Sequence, residues 1–184
     1  LGDIVGYGPD PQWCIETVED LVAGGAWCLR GNHDRAVGVP DGAFNTNARR
    51  VIDWTVNRLS KRHKLFLSDL PLVIEDGDLM LVHASANDPA DWIYVTSEGR
   101  ALGSFSVTKA RLIFCGHVHR PQLYSADLGG RVAGHPVIFG QPLPLIRSRR
   151  WLGVIGSVGQ PRDGVAQAGY AILDRDRNEL TFRR

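Results

Sequence analysis

Three short, largely apolar runs each stop at a polar cluster, and this pattern constrains the fold more than any other feature of the chain. Residues 26–30 (AWCLR), 79–82 (LMLV) and 111–115 (RLIFC) run into Gly31-Asn32-His33-Asp34, His83 and Gly116-His117-Val118-His119 respectively. Apolar runs of this length without alternation are the pattern of strands covered on both faces. Open α/β sheets place ligands beyond the carboxyl ends of their strands. The pattern therefore predicts three buried strands whose ends converge on one polar site.

Helical spacing occupies the earlier half. Residues 11–23 place Trp13, Ile15, Val18, Leu21 and Val22 on one stripe, start at Pro11 and stop at Gly24-Gly25. Residues 46–67 read as one further helix through Val51, Trp54 and Leu59, ended by Leu70-Pro71, and 104–110 as a short third. The later half alternates and is rich in turns, with strands expected at 122–126, 136–140, 151–158, 167–173 and 179–183 in a mostly antiparallel sheet. Two sheets stacked face to face with helices outside satisfy this order.

Composition narrows the function. The chain has 184 residues and reads as one domain over 1–184, with 21 Lys and Arg against 20 Asp and Glu. A net charge of +1 offers no bulk attraction to nucleic acid, and no stretch approaches the ~18 apolar residues of a membrane span. Cys14, Cys28 and Cys115 are odd in number and lack CxxC spacing, so we expect reduced thiols and a cytoplasmic protein.

The chemistry concentrates in Asp3, Asn32, His33, Asp34, His83, His117 and His119. Singly these are ordinary: Gly-Asp and Asn are turn formers, and a lone histidine after a strand is commonly a bonded core residue. Together they make a nitrogen and oxygen donor set without thiolate, suited to Mn, Fe, Zn or Co rather than Ca. His117 and His119, two apart, face one side on a regular strand and diverge on a tight loop.

In the order GD…GNHD…H…GHxH over residues 2–119, these residues resemble the calcineurin-like metallophosphoesterase family. The stretches 2–11 (GDIVGYGPDP) and 156–164 (GSVGQPRDG) are similar to a branch of small bacterial phosphoesterases. The resemblance implies an α/β (α+β) four-layer αββα sandwich of two mixed sheets flanked by helices. It also implies hydrolysis of a small phosphate-ester substrate, a monoester or diester, through two divalent transition-metal ions (Mn, Fe, Zn, Co or Ni) and an activated hydroxide. In that scheme Asp3 bridges the metals, Asn32, His83 and His117 complete one site, and His119 belongs to the other. His33 donates the proton to the leaving oxygen, helped by Asp34.

The sequence departs from the pattern in two places. The family's Asp-x-His motif, expected upstream of Asp3 with two ligands for the second metal, is absent from this sequence. The reading therefore expects an upstream strand, helix and strand, and an incomplete second site in this chain. Val154-Ile155 stand before Gly156 where relatives tend to carry an asparagine.

Arg35, Arg120 and Arg162 are candidates to hold phosphate oxygens, and Tyr7 to line the pocket. His63 reads as part of a solvated helix face, His135 as a loop residue, and Arg147, Arg149 and Arg150 as a solvated turn. Trp13, Trp54 and Trp151 read as core, and Cys28 and Cys115 as inert residues of buried strands. Two other functions fit the same fold. A non-catalytic protein-binding scaffold would be free to lose ligands, which this chain retains. A Ser/Thr protein phosphatase would tend to carry Asp-Arg-Gly where Tyr7-Gly8 stands.

Overall fold

The computed structural model describes residues 1–39 and 45–184. Five helices, α1 (Pro11–Ala23), α2 (Asn32–Gly38), α3 (Thr46–Val56), α4 (Lys61–Asp69) and α5 (Glu98–Val107), accompany nine strands among the described residues. The strands are β1 (Val73–Asp76), β2 (Leu79–Val82), β3 (Leu112–Cys115), β4 (Gln122–Ala126), β5 (Val132–His135), β6 (Leu143–Pro144), β7 (Arg150–Val154), β8 (Tyr170–Asp174) and β9 (Glu179–Arg183). The larger sheet runs β1-β2-β3-β7-β4-β5 and the smaller β6-β9-β8. Among the described strands, only β2-β3 and β3-β7 pair in parallel. This is the mixed α/β architecture of two sheets flanked by helices.

β3 shows why its run is apolar throughout. Leu112 and Phe114 join Leu123, Trp151, Leu180 and Phe182 in the core between the two sheets. Ile113 and Cys115 point to the opposite face, into a core with Met80, Val82, Leu152, Ala101 and Phe105 that α5 covers. Side chains alternate across a strand, so a strand buried on both faces has no place for a polar residue. A third cluster, Val5, Ile15, Val37, Leu59, Leu67 and Leu70, packs the loop before α1 together with α1, α2 and α4.

Several sequence expectations need correction. Residues 26–30 form no strand and join neither sheet. Their backbone bonds run from Ala26 N–H to Leu21 O and from Arg30 N–H to Pro71 O, and no described strand lies alongside to form a ladder. The helix expected over 46–67 is two helices. α3 stops at Asn57, and Ser60 starts α4 by accepting the His63 N–H through its hydroxyl at 3.2 Å. The short helix expected at 104–110 begins earlier, where the Ser97 hydroxyl accepts the Arg100 N–H, and ends at Val107. The strand expected at 136–140 lies instead at 132–135, because Pro136 cannot donate to a ladder. β1 was not anticipated, although the Asp76-Gly77 pair that turns it into β2 is a hairpin signal.

Burial also differs from expectation. His63 is only 4% exposed, on the stripe with Leu67 that α4 turns toward α1, its Nε2 3.4 Å from Glu16. Trp13 is 66% exposed, because Ile15 takes the buried face of α1 and residues two apart point to opposite sides. Trp54 is half-buried under the Arg58 guanidinium at 3.5 Å, and Trp151 is core. Cys28 is half-buried outside any strand, while Cys115 is buried in β3, where burial pushes its thiol up to about 12. Arg149 and Arg150 are tied down rather than solvated. Arg149 bonds Ser125, and Arg150 donates to the carbonyls of Phe105, Thr108 and Ala110, closing the C-terminal end of α5. Among the described residues, no helix is long and apolar enough to cross a membrane.

Candidate metal centre

Adjacent parallel strands bring the first two donors together. His83 follows β2 and His117 follows β3; the Gly116 N–H donates to His83 O at 2.9 Å, and the two rings lie 5.0 Å apart. Asp3 arrives on the loop before α1. That loop is fastened by Asp34, whose carboxylate accepts the N–H groups of Asp3 (2.8 Å), Ile4 (2.9 Å), Val5 (3.3 Å) and Gly31 (2.8 Å). Asp3 Oδ1 in turn accepts the His33 N–H at 2.9 Å.

His83 Nε2 is the hub. Asn32 Oδ1 and His117 Nδ1 lie 3.2 Å from it, and Asp3 Oδ2 lies 3.3 Å from it. The other ring nitrogen, Nδ1, donates to Leu1 O at 2.7 Å, which leaves the Nε2 lone pair turned into the cluster when the ring is neutral. Ligands held at 2.0–2.1 Å in a tetrahedron stand about 3.3 Å apart, so the donor spacing fits a transition-metal ion. Asp3, His83 and His117 form the group of potential metal-binding side chains among the described residues.

Charge is arranged to match. Burial alone would raise the Asp3 carboxyl, but attraction to His83 and the bond between them hold it at about 2. Burial likewise opposes a charged His83, yet Asp3 outweighs it and the His83 pKa is raised. In the metal-free chain Asp3 and His83 thereby favour each other's charged form. Burial, with repulsion from His83, lowers His117 to about 4. Asp34 is pushed up to about 6 by burial and by Asp3, against the pull of its N–H donors.

Backbone strain marks the site. Asp3, Trp92, His117 and His119 all have positive φ, between 54° and 62°, a conformation that costs of order 1–3 kcal/mol and clusters at functional sites. Two such turns separate the histidines: His117 faces His83, whereas His119 donates through Nδ1 to Gln160 O at 2.7 Å and leaves Nε2 as its acceptor. The histidines therefore diverge, and His119 lies outside the group around His83.

The remaining candidates divide. A cavity of about 370 Å³ beside the cluster is lined by Asp3, Asn32, His33, His117 and His119 together with Tyr7 and Arg162. The His33 ring lies 4.6 Å from that of Tyr7, and burial lowers its pKa despite attraction to Asp3. Arg162 is steadied by Gln160 Oε1. Arg35 and Arg120 do not line this cavity: Arg35 donates to Ala90 O and Arg120 to Arg162 O, so both act on neighbouring loops. Asp34 holds the Asp3 loop through three of its backbone donors, with Gly31 as a fourth at the start of α2, rather than standing in the cavity wall. Sequence reading missed Trp92 and Tyr94, which line the cavity with rings 5.8 Å from His83 and 4.0 Å from His117 respectively. The signal was an aromatic pair, 92 and 94, a few residues beyond His83.

Residues 1–121 match the family model for calcineurin-like phosphoesterases. The chain belongs to this family. An uncharacterized protein of Methanocaldococcus jannaschii is 34% identical over 182 residues, covering 95% of this chain and 69% of that protein. The crystal structure of a metallophosphoesterase from Sphaerobacter thermophilus superposes with a TM-score of 0.84 at 36% identity, covering 100% of this chain and 75% of that one. A hypothetical protein from Pyrococcus horikoshii shares the fold at a TM-score of 0.74 and 18% identity, over 99% of this chain and 71% of its own. Membership of this phosphoesterase family and the Asp3, His83 and His117 group together support metal-dependent phosphoester hydrolysis.

Proposed function

We propose that the chain hydrolyses small phosphate esters with two divalent transition-metal ions, one held by Asp3, Asn32, His83 and His117, the other by His119 and a shared Asp3. The observation that carries this reading is the set of donors spaced 3.2–3.3 Å around His83 Nε2, facing a cavity that also holds His33. Metal ions at such a site lower the pKa of water and neutralise charge on a phosphoryl group. Arg162 at the cavity wall orients the phosphate oxygens by a planar fork of donors. The bond from phosphorus to the leaving alcohol breaks as water oxygen takes its place. His33 gives the departing oxygen its proton and recovers one from the incoming water. Tyr7, Trp92 and Tyr94 add aromatic surface to the cavity in which the phosphate would sit. A scaffold role would leave no reason to keep His33 and the full donor cluster together.

The test is to load the protein with Mn, Fe, Co or Zn, measure metal per chain, and screen nitrophenyl monoesters and diesters. We expect metal uptake and turnover that His117→Ala abolishes. Metal binding without hydrolysis of any ester, or hydrolysis undiminished in His117→Ala, refutes the proposal.

A further inference from the structure

A second cavity, of about 550 Å³, adjoins the metal-site cavity and shares Tyr7 with it. Its far wall is one face of α3: Asn47, Arg50, Val51 and Trp54, at spacings of three and four residues. Gly8 and Pro9 extend the near wall from Tyr7. The volume lies within the range of small-molecule sites. Nothing in the metal-dependent reaction itself requires this groove.

We propose that the groove receives the alcohol side of the ester and selects a planar, hydrogen-bonding ring system, a nucleoside being the type. This rests on the phosphoesterase reading above, because His33 fixes the direction. The Tyr7 ring stands 4.6 Å from the His33 ring and lines both cavities, so the substituent of an oxygen protonated by His33 has the groove within reach across Tyr7. The lining matches a flat heteroaromatic ring. Tyr7 and Trp54 present aromatic surface, and aromatic side chains stack on bases of any sequence. Asn47 and Arg50 carry the amide and guanidinium groups that pair with the edges of bases. Arg58 lies 3.5 Å over the Trp54 ring and braces it. An aliphatic alcohol has no use for this combination.

The experiment compares adenosine 5′-monophosphate with glycerol 3-phosphate, and their methyl diesters, on the metal-loaded protein; both alcohols are primary, so the bond broken is alike. We expect kcat/KM to favour the adenosine ester at least roughly tenfold, as base stacking allows. Trp54→Ala should remove that preference by lowering kcat/KM for the adenosine ester far more than for the glycerol ester. Arg50→Ala, at an exposed position, gives a second variant that tests the groove if Trp54→Ala folds poorly. Binding of adenosine alone, read by tryptophan fluorescence and by NMR of the Tyr7 and Trp54 rings, needs no turnover. Adenosine binding that Trp54→Ala or Arg50→Ala weakens, without any ester hydrolysis, keeps the groove and refutes the hydrolase reading. Hydrolysis with equal preference and no adenosine binding at millimolar concentration overturns the groove and leaves the hydrolase reading intact.

Discussion

Gly31→Ala tests whether the metal site depends on a contact too close for any side chain. A Cβ at Gly31 falls 2.1 Å from Asp3 Oδ1 and 2.3 Å from the Asp3 backbone nitrogen. Nonbonded carbon contacts are comfortable only from about 3.5 Å, so Asp3 must retreat by more than about 1 Å. It cannot do so freely, since the Asp3 and Gly31 N–H groups both donate to Asp34 at 2.8 Å. Overpacking costs about 1–3 kcal/mol, and weakening bonds to a charged group adds to it. We expect about 2–4 kcal/mol of lost stability in the metal-free protein, a fall in Tm of roughly 5–15 °C for a chain of this size. Metal sites tolerate only about 0.2 Å in ligand position, so affinity should drop by about 100-fold or more. Gly38→Ala is the control: nothing lies within 4 Å of its Cβ, and its effect should stay within about 0.5 kcal/mol. Thermal unfolding by circular dichroism and metal titration by calorimetry read both quantities. If Gly31→Ala melts and binds metal like Gly38→Ala, the packing argument is wrong.

Other outcomes follow from the same geometry. His33→Ala should lower kcat by roughly 10²–10⁴-fold for alkyl esters with metal content unchanged, and much less for nitrophenyl esters, whose leaving group needs no proton; an equal loss for both would exclude the acid role. Metal uptake should release protons near pH 6, from the raised His83 and none from His117 at about 4, so affinity falls with falling pH; calorimetry in buffers of different ionisation heat decides this, and pH-independent binding would contradict it. In the metal-free chain the Asp3–His83 pair is stabilising above the ordinary carboxyl pKa of 3.8 and is lost as pH falls toward about 2. On the alkaline side it is complete below 6.5 and is lost as pH rises through the raised His83 pKa, so urea unfolding against pH should show a maximum between these limits. Arg150→Ala removes three bonds to carbonyls at the end of α5 and should cost about 2–4 kcal/mol, whereas Trp13→Ala, at an exposed position, should cost less than about 0.5 kcal/mol.

Residue type and local pattern alone mark the candidate donors and the ends of two strands. Asp3, Asn32, His33, His83, His117 and His119 were legible because their residue types, and the apolar runs that stop at three of the four clusters, are local properties of the chain. Residues 79–82 form a strand as read and 111–115 do so from Leu112 onward, since burial on both faces demands continuous apolar side chains. Partnership, by contrast, is a property of two segments. Residues 26–30 carry the same apolar signature, yet no described strand pairs with them. His63 looked solvated among Lys61, Arg62 and Lys64, and only the packing of α4 against α1 buried it. Arg150 read as one of three exposed cations until β7 placed it against the open carbonyls of α5. Asp34 and Tyr94 show the same limit at the site itself. That Asp34 fastens the Asp3 loop by the N–H groups of Asp3, Ile4 and Val5, and that Tyr94 lies against His117, depends on segments 23 to 31 residues apart meeting in space. Residue type sets which bonds a side chain can make; packing in three dimensions sets which partners come within reach.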